Sequence, residues 1–303
     1  MTHHYHGHHH AGSKTDSTRT LAFATVLNAA LVIAEVAAGV LAHSTALLAD
    51  AAHNFGDVIG LALAWGAQLL SRFRPTERYT YGLRSSSILA ALFNAAMVLV
   101  MTGAIAWESI RRIGAPGPVS ETIVIAVAVV GMLINGFTAW LLEKEQKGDL
   151  NIRGAYVHML GDAAVSLAVV ASGVVILLTG WLWVDPAIGL VISAVIVWMS
   201  WGLLRGGVDM SLQAVPSAID PKAVRAYLQA LPGVAEVHDL HIWPMSTTET
   251  ALTCHLVIPG GPPRKDFLGE VGAELLSRFA IQHPTIQVEA GDEACKLAPA
   301  HIV

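Results

Sequence analysis

The stretch ALLADAAHNFGDVIG, Ala46 to Gly60, is apolar enough to lie in lipid, yet it carries Asp50, His53, Asn54 and Asp57. On a helix, His53 and Asp57 stand four apart and share a face, with Asp50 on nearly the same side. The spacing recurs in YVHMLGDAAVS, where His158 and Asp162 are four apart. An ionisable group at mid-membrane costs about 2.5–3.5 kcal/mol on insertion scales. Four of them in matched pairs are hard to explain as packing. Two HxxxD pairs on two spans offer two nitrogens and two oxygens, a donor set that tetrahedral Zn²⁺ accepts. Asn28, Asn94 and Asn135 are of the kind that hydrogen-bond across helices. Three roles stay open for Glu35 and Asp50: assisting the metal site, relaying protons, or pairing with a neighbour.

The surrounding chain has the composition of a membrane protein. Of its 303 residues 54% are hydrophobic, mean hydropathy is +0.55, and only 14% are charged, against about 25% in soluble domains. A net charge of −5 leaves no basic footprint for nucleic acid. Two cysteines, Cys254 and Cys295, build no disulfide framework and suit a reducing compartment. Six of the fourteen histidines lie in the first ten residues. Their irregular spacing reads as native rather than as a tag, and the segment has no apolar core of a signal peptide. It is either a flexible metal collector or a tolerated disordered tail.

A spanning helix needs about 20 mostly apolar residues. Six stretches qualify: Leu21–Ala42, Ala46–Leu70, Ser87–Trp107, Thr122–Leu142, Ala155–Thr179 and Val184–Leu204. With the N-terminus inside, ten Lys and Arg fall on cytoplasmic segments and two, Arg111 and Arg112, on outer loops. That bias places both termini in the cytoplasm.

From about Leu212 the chain turns polar and alternating. Asp220-Pro221 opens a helix, the runs AEVHDLHIW and TALTCHLVI read as strands, FLGEVGAELLSRFA is an amphipathic helix, and TIQVEA is a last strand. The order αββαβ predicts two helices on one face of a three-stranded sheet. The expected division is a His-rich tail over 1–19, a six-helix membrane domain over 20–211 and a cytoplasmic domain over 212–303. In that domain His238, His241, His255, His283 and Glu289 cluster by type. Strand alternation sends His238 and His241 to opposite faces. Cys254 reads as a small buried residue.

HSTALLADAAHNFGDV, YTYGLR, DLNIRGAYVHMLGDAAVS and VHDLHIW resemble the signature segments of the cation diffusion facilitator family, most of all its zinc-exporting branch in bacteria and eukaryotic vesicles. The likeness runs in order from about Thr20 to Glu289. It implies an α-helical membrane protein with six transmembrane helices and a C-terminal cytoplasmic α+β domain of ferredoxin-like or metallochaperone-like kind. It also implies a homodimer that exchanges zinc for protons. The family's transport site maps onto His53, Asp57, His158 and Asp162, while Asp50 and Glu35 keep the three open roles given above, an accessory one among them. A cytoplasmic site maps onto His238, His255, His283 and Glu289. Cys295 is one accessory cysteine where relatives often carry a pair, so a second tail-linked metal is not expected. Arg84 and Asp209 occupy the positions of an interhelical charge pair. The link EKEQKGD has no histidine, and the loop SRFRPTERYTYG has no Asp or His, unlike many relatives.

Metal ligands must be deprotonated, so metal binding releases protons and protons expel metal. A site with two imidazoles, which titrate near pH 6.5 when free, would release zinc on an acidic outer side. No GxxxxGK[ST] loop points to nucleotide-driven transport. A membrane metallohydrolase would need an open metal position and a base such as HExxH, which the chain lacks. A mere metal sensor would leave the intramembrane quartet without purpose. The expected function is Zn²⁺ efflux by proton antiport, not catalysis. Cd²⁺ and Co²⁺ are further candidate ions, and protons and the lipid bilayer, of a bacterial inner membrane, are the other partners.

Overall fold

The computed structural model describes residues 29–143, 150–290 and 295. Six helices come first: α1 (Ala29–Ala42), α2 (Thr45–Ser71), α3 (Ser86–Gly114), α4 (Glu121–Leu142), α5 (Leu150–Thr179) and α6 (Val184–Ser211). Four of these, α3 to α6, are long and apolar enough to cross a membrane. The shortest of the four, α4 with 22 residues, measures about 33 Å at the helical rise, close to the roughly 30 Å of a bilayer's hydrocarbon. Residues 21–28 of the first expected span lie outside the described residues.

The chain forms two compact units. One holds the chain to Leu61 together with Ala96–Trp201. Its core is built largely of small residues, Ala38, Ala42, Ala46, Ala49 and Ala128, around Leu47, Val98, Val124, Val169 and Ile192. Small residues let helix backbones approach closely where lipid supplies no hydrophobic drive. The α1–α2 turn is held from several sides. The Asp185 carboxylate, in the first turn of α6, accepts from the Thr45 amide at 2.7 Å, from the Thr45 hydroxyl at 2.9 Å and from the Ser44 hydroxyl. A carboxylate there satisfies orphan amides and complements the positive end of the α2 dipole. Arg112 of α3 donates to the His43 carbonyl, and the Ser120 amide donates to the Ala42 carbonyl at 3.1 Å.

The other unit holds Ala62–Ala95 and the chain from Gly202 onward. It contains α7 (Pro221–Gln229), β1 (Glu236–Pro244), β2 (Thr250–Val257), α8 (Phe267–Phe279) and β3 (His283–Glu289). The Asp220 side chain caps α7 by accepting from the Lys222 amide, with Pro221 at the first turn. The sheet order is β1-β2-β3, with β1–β2 antiparallel and β2–β3 parallel, which gives the αββαβ order. Val224 and Leu228 of α7 and Val271 and Leu275 of α8 form one core with Val237, Ile242, Leu252, Cys254 and Leu256 of the sheet. The side chains that alternate away from this core, His238, His255 and Glu289 among them, occupy the other face. In the same unit Gly82 closes the α2–α3 connection at φ +70°, and a Cβ there would lie 2.9 Å from the Phe73 carbonyl oxygen, so only glycine fits without strain.

Leu252 is fully buried in the second core. Leu252→Ala is expected to destabilise the cytoplasmic domain by about 2–5 kcal/mol, read by urea unfolding of a fragment from Leu212 onward; a loss under about 0.5 kcal/mol would place Leu252 outside the core.

Candidate metal centres

The first centre lies between α2 and α5. His53 and Asp57 share a face of α2, and His158 and Asp162 share a face of α5. One ligand atom from each of the four lies within 4.8 Å of every other. The contacts cross between helices. His53 Nε2 is 3.3 Å from Asp162 Oδ1, and His158 Nε2 is 3.2 Å from Asp57 Oδ2. The same-helix distances are longer, 4.0 Å for His53–Asp57 and 3.7 Å for His158–Asp162. Ligands about 2.0–2.1 Å from a tetrahedral zinc stand about 3.3 Å apart, so the ring is already near the size that the ion demands. Asp57 Oδ2 and both Asp162 oxygens are buried and make no well-formed hydrogen bond among the described residues, as expected for atoms shaped to meet a cation. Access is one-sided: Asp162 is 1% exposed and His53 14%, whereas Asp57 and His158 reach 29% and 36%. The more open pair lies toward the Ser71 end of α2 and the Leu150 end of α5.

Glu35 and Asp50 lie beside this ring, both fully buried. Glu35 Oε2 accepts from Asn54 Nδ2 and Asp50 Oδ2 accepts from Ser166 Oγ, each at 2.9 Å. Asn135 does not make the hydrogen bond across helices that its residue type suggests. It is fully buried, and neither side-chain polar atom has a partner among the described residues. Asn94 Oδ1 likewise has no partner among the described residues. Asn28 and the N-terminal histidines lie outside the described residues.

The second centre lies on the sheet. His238 of β1 stands directly across from His255 of β2, with ring centroids 5.2 Å apart. Glu289 of β3 bridges them, with Oε2 3.2 Å from His238 Nε2 and Oε1 2.9 Å from His255 Nδ1. Cys295 Sγ lies 3.5 Å from His255 Nδ1. His238, His255, Glu289 and Cys295 make an N₂OS donor set within 4.8 Å, which suits zinc or cadmium. His238 is 5% exposed, and among the described residues neither ring nitrogen makes a well-formed hydrogen bond.

Three expectations for this part of the chain are corrected. His283 does not join the centre. The parallel register sets it against Ala251 while Glu289 is set against Val257, six residues or about 20 Å away along the strand. Cys295 occupies the place instead. His238 and His241 do not point to opposite faces. The pairing advances three residues on β1 for two on β2 between them, a β-bulge with Asp239 at φ +49°, and the extra residue returns His241 to the His238 face. Arg84 does not pair with Asp209. Its guanidinium meets the Glu249 carboxylate, with His283 Nε2 3.5 Å away, while Asp209 is exposed in the last turn of α6 and in no salt bridge among the described residues. Ser85 Oγ also donates to the Met245 carbonyl and Ser87 Oγ accepts from the Thr247 amide, each at 3.1 Å, so the start of α3 is tied to the β1–β2 turn.

Asp239 was not singled out by its sequence. It lies 2.8 Å from His241 Nε2 and 3.5 Å from His255 Nε2. Its only signal is its place between two histidines in VHDLH. Cys254 is buried in the core, and burial pushes its thiol up to about 12.

Residues 21–210 match the family described as the cation efflux transmembrane domain, and residues 216–291 the cation efflux protein cytoplasmic domain. The chain belongs to the cation efflux, or cation diffusion facilitator, family and is a multi-pass membrane protein. It is 35% identical to the metal cation efflux system protein CzcD of Cupriavidus metallidurans over 94% of this chain and 89% of that one. It is 33% identical to the zinc transporter ZitB of Escherichia coli, covering 94% and 92%. It is 28% identical to a cadmium, cobalt and zinc/H⁺–K⁺ antiporter of Bacillus subtilis, covering 93% and 92%. Among solved structures, the metal-bound C-terminal domain of the Cupriavidus CzcD transporter matches 23% of this chain and 99% of its own length, at 38% identity and a TM-score of 0.22.

Removing His255 or Glu289 by alanine substitution is expected to weaken zinc binding to the cytoplasmic fragment at least about tenfold, whereas His283→Ala leaves it unchanged; calorimetry on the three variants decides. At pH 8, N-ethylmaleimide is expected to label Cys295 and spare Cys254, because the thiolate reacts, and zinc is expected to protect Cys295. Equal labelling of both thiols in the folded protein would contradict this assignment.

Proposed function

We propose that this chain exports Zn²⁺ from the cytoplasm in exchange for protons, through the His53, Asp57, His158 and Asp162 ring in each protomer of a homodimer. The observation that carries the reading is the ring itself, with its cross-helix His–Asp contacts near the edge length of a zinc tetrahedron. The names of the relatives, zinc transporter and zinc/H⁺–K⁺ antiporter, support the ion and the coupling. The six-span reading takes α1 to α6 as the spans, the start of the first expected span lying outside the described residues. The ten-to-two distribution of Lys and Arg supports cytoplasmic termini in a bacterial inner membrane.

The chemistry follows from charge. Two carboxylates and two neutral imidazoles carry a charge of minus two, and a charge in lipid is costly. One Zn²⁺ neutralises the ring, and so do two protons on the imidazoles. The ring therefore has two cheap states, metal-loaded and protonated, and exchanging one for the other across the membrane is antiport. In this conformation the exposed pair, Asp57 and His158, lies at the end of α2 and α5 assigned to the cytoplasm, which is the loading side. Four protein ligands fill the tetrahedron, which suits a carried ion rather than a catalytic one.

Asp57→Ala or Asp162→Ala is expected to lower zinc flux in proteoliposomes at least about 100-fold while the protein stays folded. Flux near that of the parent in either variant would overturn the site. His53→Asp changes the donor set to one nitrogen and three oxygens. Imidazole suits zinc, and carboxylates suit harder ions, so zinc still moves but its discrimination against Cd²⁺ or Mn²⁺ falls. Competitive flux measures the ratio; an unchanged ratio would assign selectivity to the packing around the ring.

A further inference from the structure

Beside the ring, toward α1 and α4, lies a second set of polar groups. Asp50 and Asn54 share a face of α2, turned about 60° from the His53–Asp57 face. Glu35 comes from α1, Asn135 from α4 and Ser166 from α5, and all five side chains are fully buried. Two pairs are hydrogen-bonded: Ser166 Oγ donates to Asp50, and Asn54 Nδ2 donates to Glu35. A Cβ at Gly131 would lie 2.9 Å from Glu35 Oε1 and 3.4 Å from Ser166 Oγ, so both oxygens meet the same bare spot on α4. Asn135 is one turn further along α4.

Helix-bridging polar groups normally match donors to acceptors. Here the unpaired atoms are mostly acceptors. Among the described residues Glu35 Oε1, Asp50 Oδ1, Asn54 Oδ1 and both polar atoms of Asn135 are buried with no hydrogen-bond partner, four oxygens against one amide nitrogen. Two are carboxylate oxygens and two are amide oxygens. A pocket short of donors and rich in oxygen is a pocket for a cation. The missing side chain at Gly131 leaves room for Glu35 Oε1 to lie close against α4.

We infer that Glu35, Asp50, Asn54 and Asn135 form a second divalent-metal station, which the ion occupies after it leaves the quartet. The inference rests on the reading of the quartet as the transport site. Asp50 stands one turn nearer the Thr45 end of α2 than His53, and Ser166 one turn nearer the Thr179 end of α5 than Asp162. Asp50 is therefore displaced about 4.5 Å along α2 from His53, away from the more exposed pair. Two divalent ions that close in a medium of low dielectric repel strongly, so occupancy alternates and a newly loaded ion drives the earlier one onward. An oxygen-only site binds zinc less tightly than one with imidazoles and suits harder ions relatively better, which favours release over retention.

The test uses the full-length protein in nanodiscs, with the quartet silenced by His53→Asn, Asp57→Asn, His158→Asn and Asp162→Asn and the sheet centre by His238→Ala and Glu289→Gln. Mn²⁺ is the probe, read by electron paramagnetic resonance. One Mn²⁺ per chain, displaced by Zn²⁺ and lost on adding Glu35→Gln and Asp50→Asn, is the expected result. No bound Mn²⁺, or Mn²⁺ indifferent to those two changes, overturns the station. A second measurement leaves the quartet intact. Glu35→Gln and Asp50→Asn singly are expected to lower zinc flux at least tenfold in proteoliposomes while zinc still binds the quartet by calorimetry. Flux within twofold of the parent overturns the station even if melting temperature shifts, which would mark the residues as helix-packing groups. Asp57→Ala in the same assay reports separately on the quartet.

Discussion

Each imidazole of the His53, Asp57, His158 and Asp162 ring reaches the carboxylate of the other helix more closely than that of its own, and the rest of this helical unit depends on that crossing. A one-residue slip of α2 against α5 would rotate the ligands by about 100° and shift them by about 1.5 Å. The ring would then open, so register between two helices is the property to be protected. The fold protects it at several heights. Asp185 caps the Thr45 end of α2 with three hydrogen bonds. Ser166 binds Asp50 one turn from the ring, a direct α5–α2 contact. The alanines at 38, 42, 46, 49 and 128 leave little freedom for sliding, because close-packed backbones move only with their neighbours.

Register fixes where the charges are, and the charges then dictate what the unit can hold. Glu35, Asp50, Asp57 and Asp162 lie on adjoining faces of a few helices, and the only described cationic partners near them are His53 and His158. Such a group is tolerable in lipid only when protons or metal balance it. On the proposed reading, that deficit of positive charge is what draws the ion in. A lysine or arginine in the ring would settle the charge permanently and remove the reason for an ion to enter.

The sequence made the helical part of this arrangement legible because helix geometry is regular. A spacing of four in HNFGD and HMLGD is enough to put ligands on one face, and apolar runs of about 20 residues announce α3 to α6. The αββαβ order was legible for the same reason, from period-two runs between Gly and Pro breakers. What was not legible depends on irregularities. The bulge at Asp239 reverses the face of His241, and nothing in the alternation of EVHDLHIW betrays it. The distance between His283 and Glu289 follows from both lying on one extended strand, and the resemblance that grouped them ignored it. Cys295 comes near His255 through a tail that no periodicity places. Glu249, the partner of Arg84, sits in a polar turn where a carboxylate carries no signal. Asn135 read as helix-bridging by residue type, yet its neighbours offer it no partner, which only a packed structure shows.

The two centres differ in the one ligand that matters for exchange. The ring offers oxygen and imidazole, while the sheet adds the Cys295 sulfur to two imidazoles and a carboxylate. Thiolate bonds zinc and cadmium more strongly than carboxylate does, so on the proposed reading an ion at the sheet centre would be held more tightly than one in the ring. Retention has a mechanical consequence, because His238, His255 and Glu289 come from three adjacent strands and a bound ion would pin all three to the tail that carries Cys295. The far end of the same β2 strand is next to Glu249, whose carboxylate meets Arg84 at the start of α3. A hydrogen-bonded ladder is stiff along its strands, so an ion held at one end restricts the motion of the turn that grips α3 at the other.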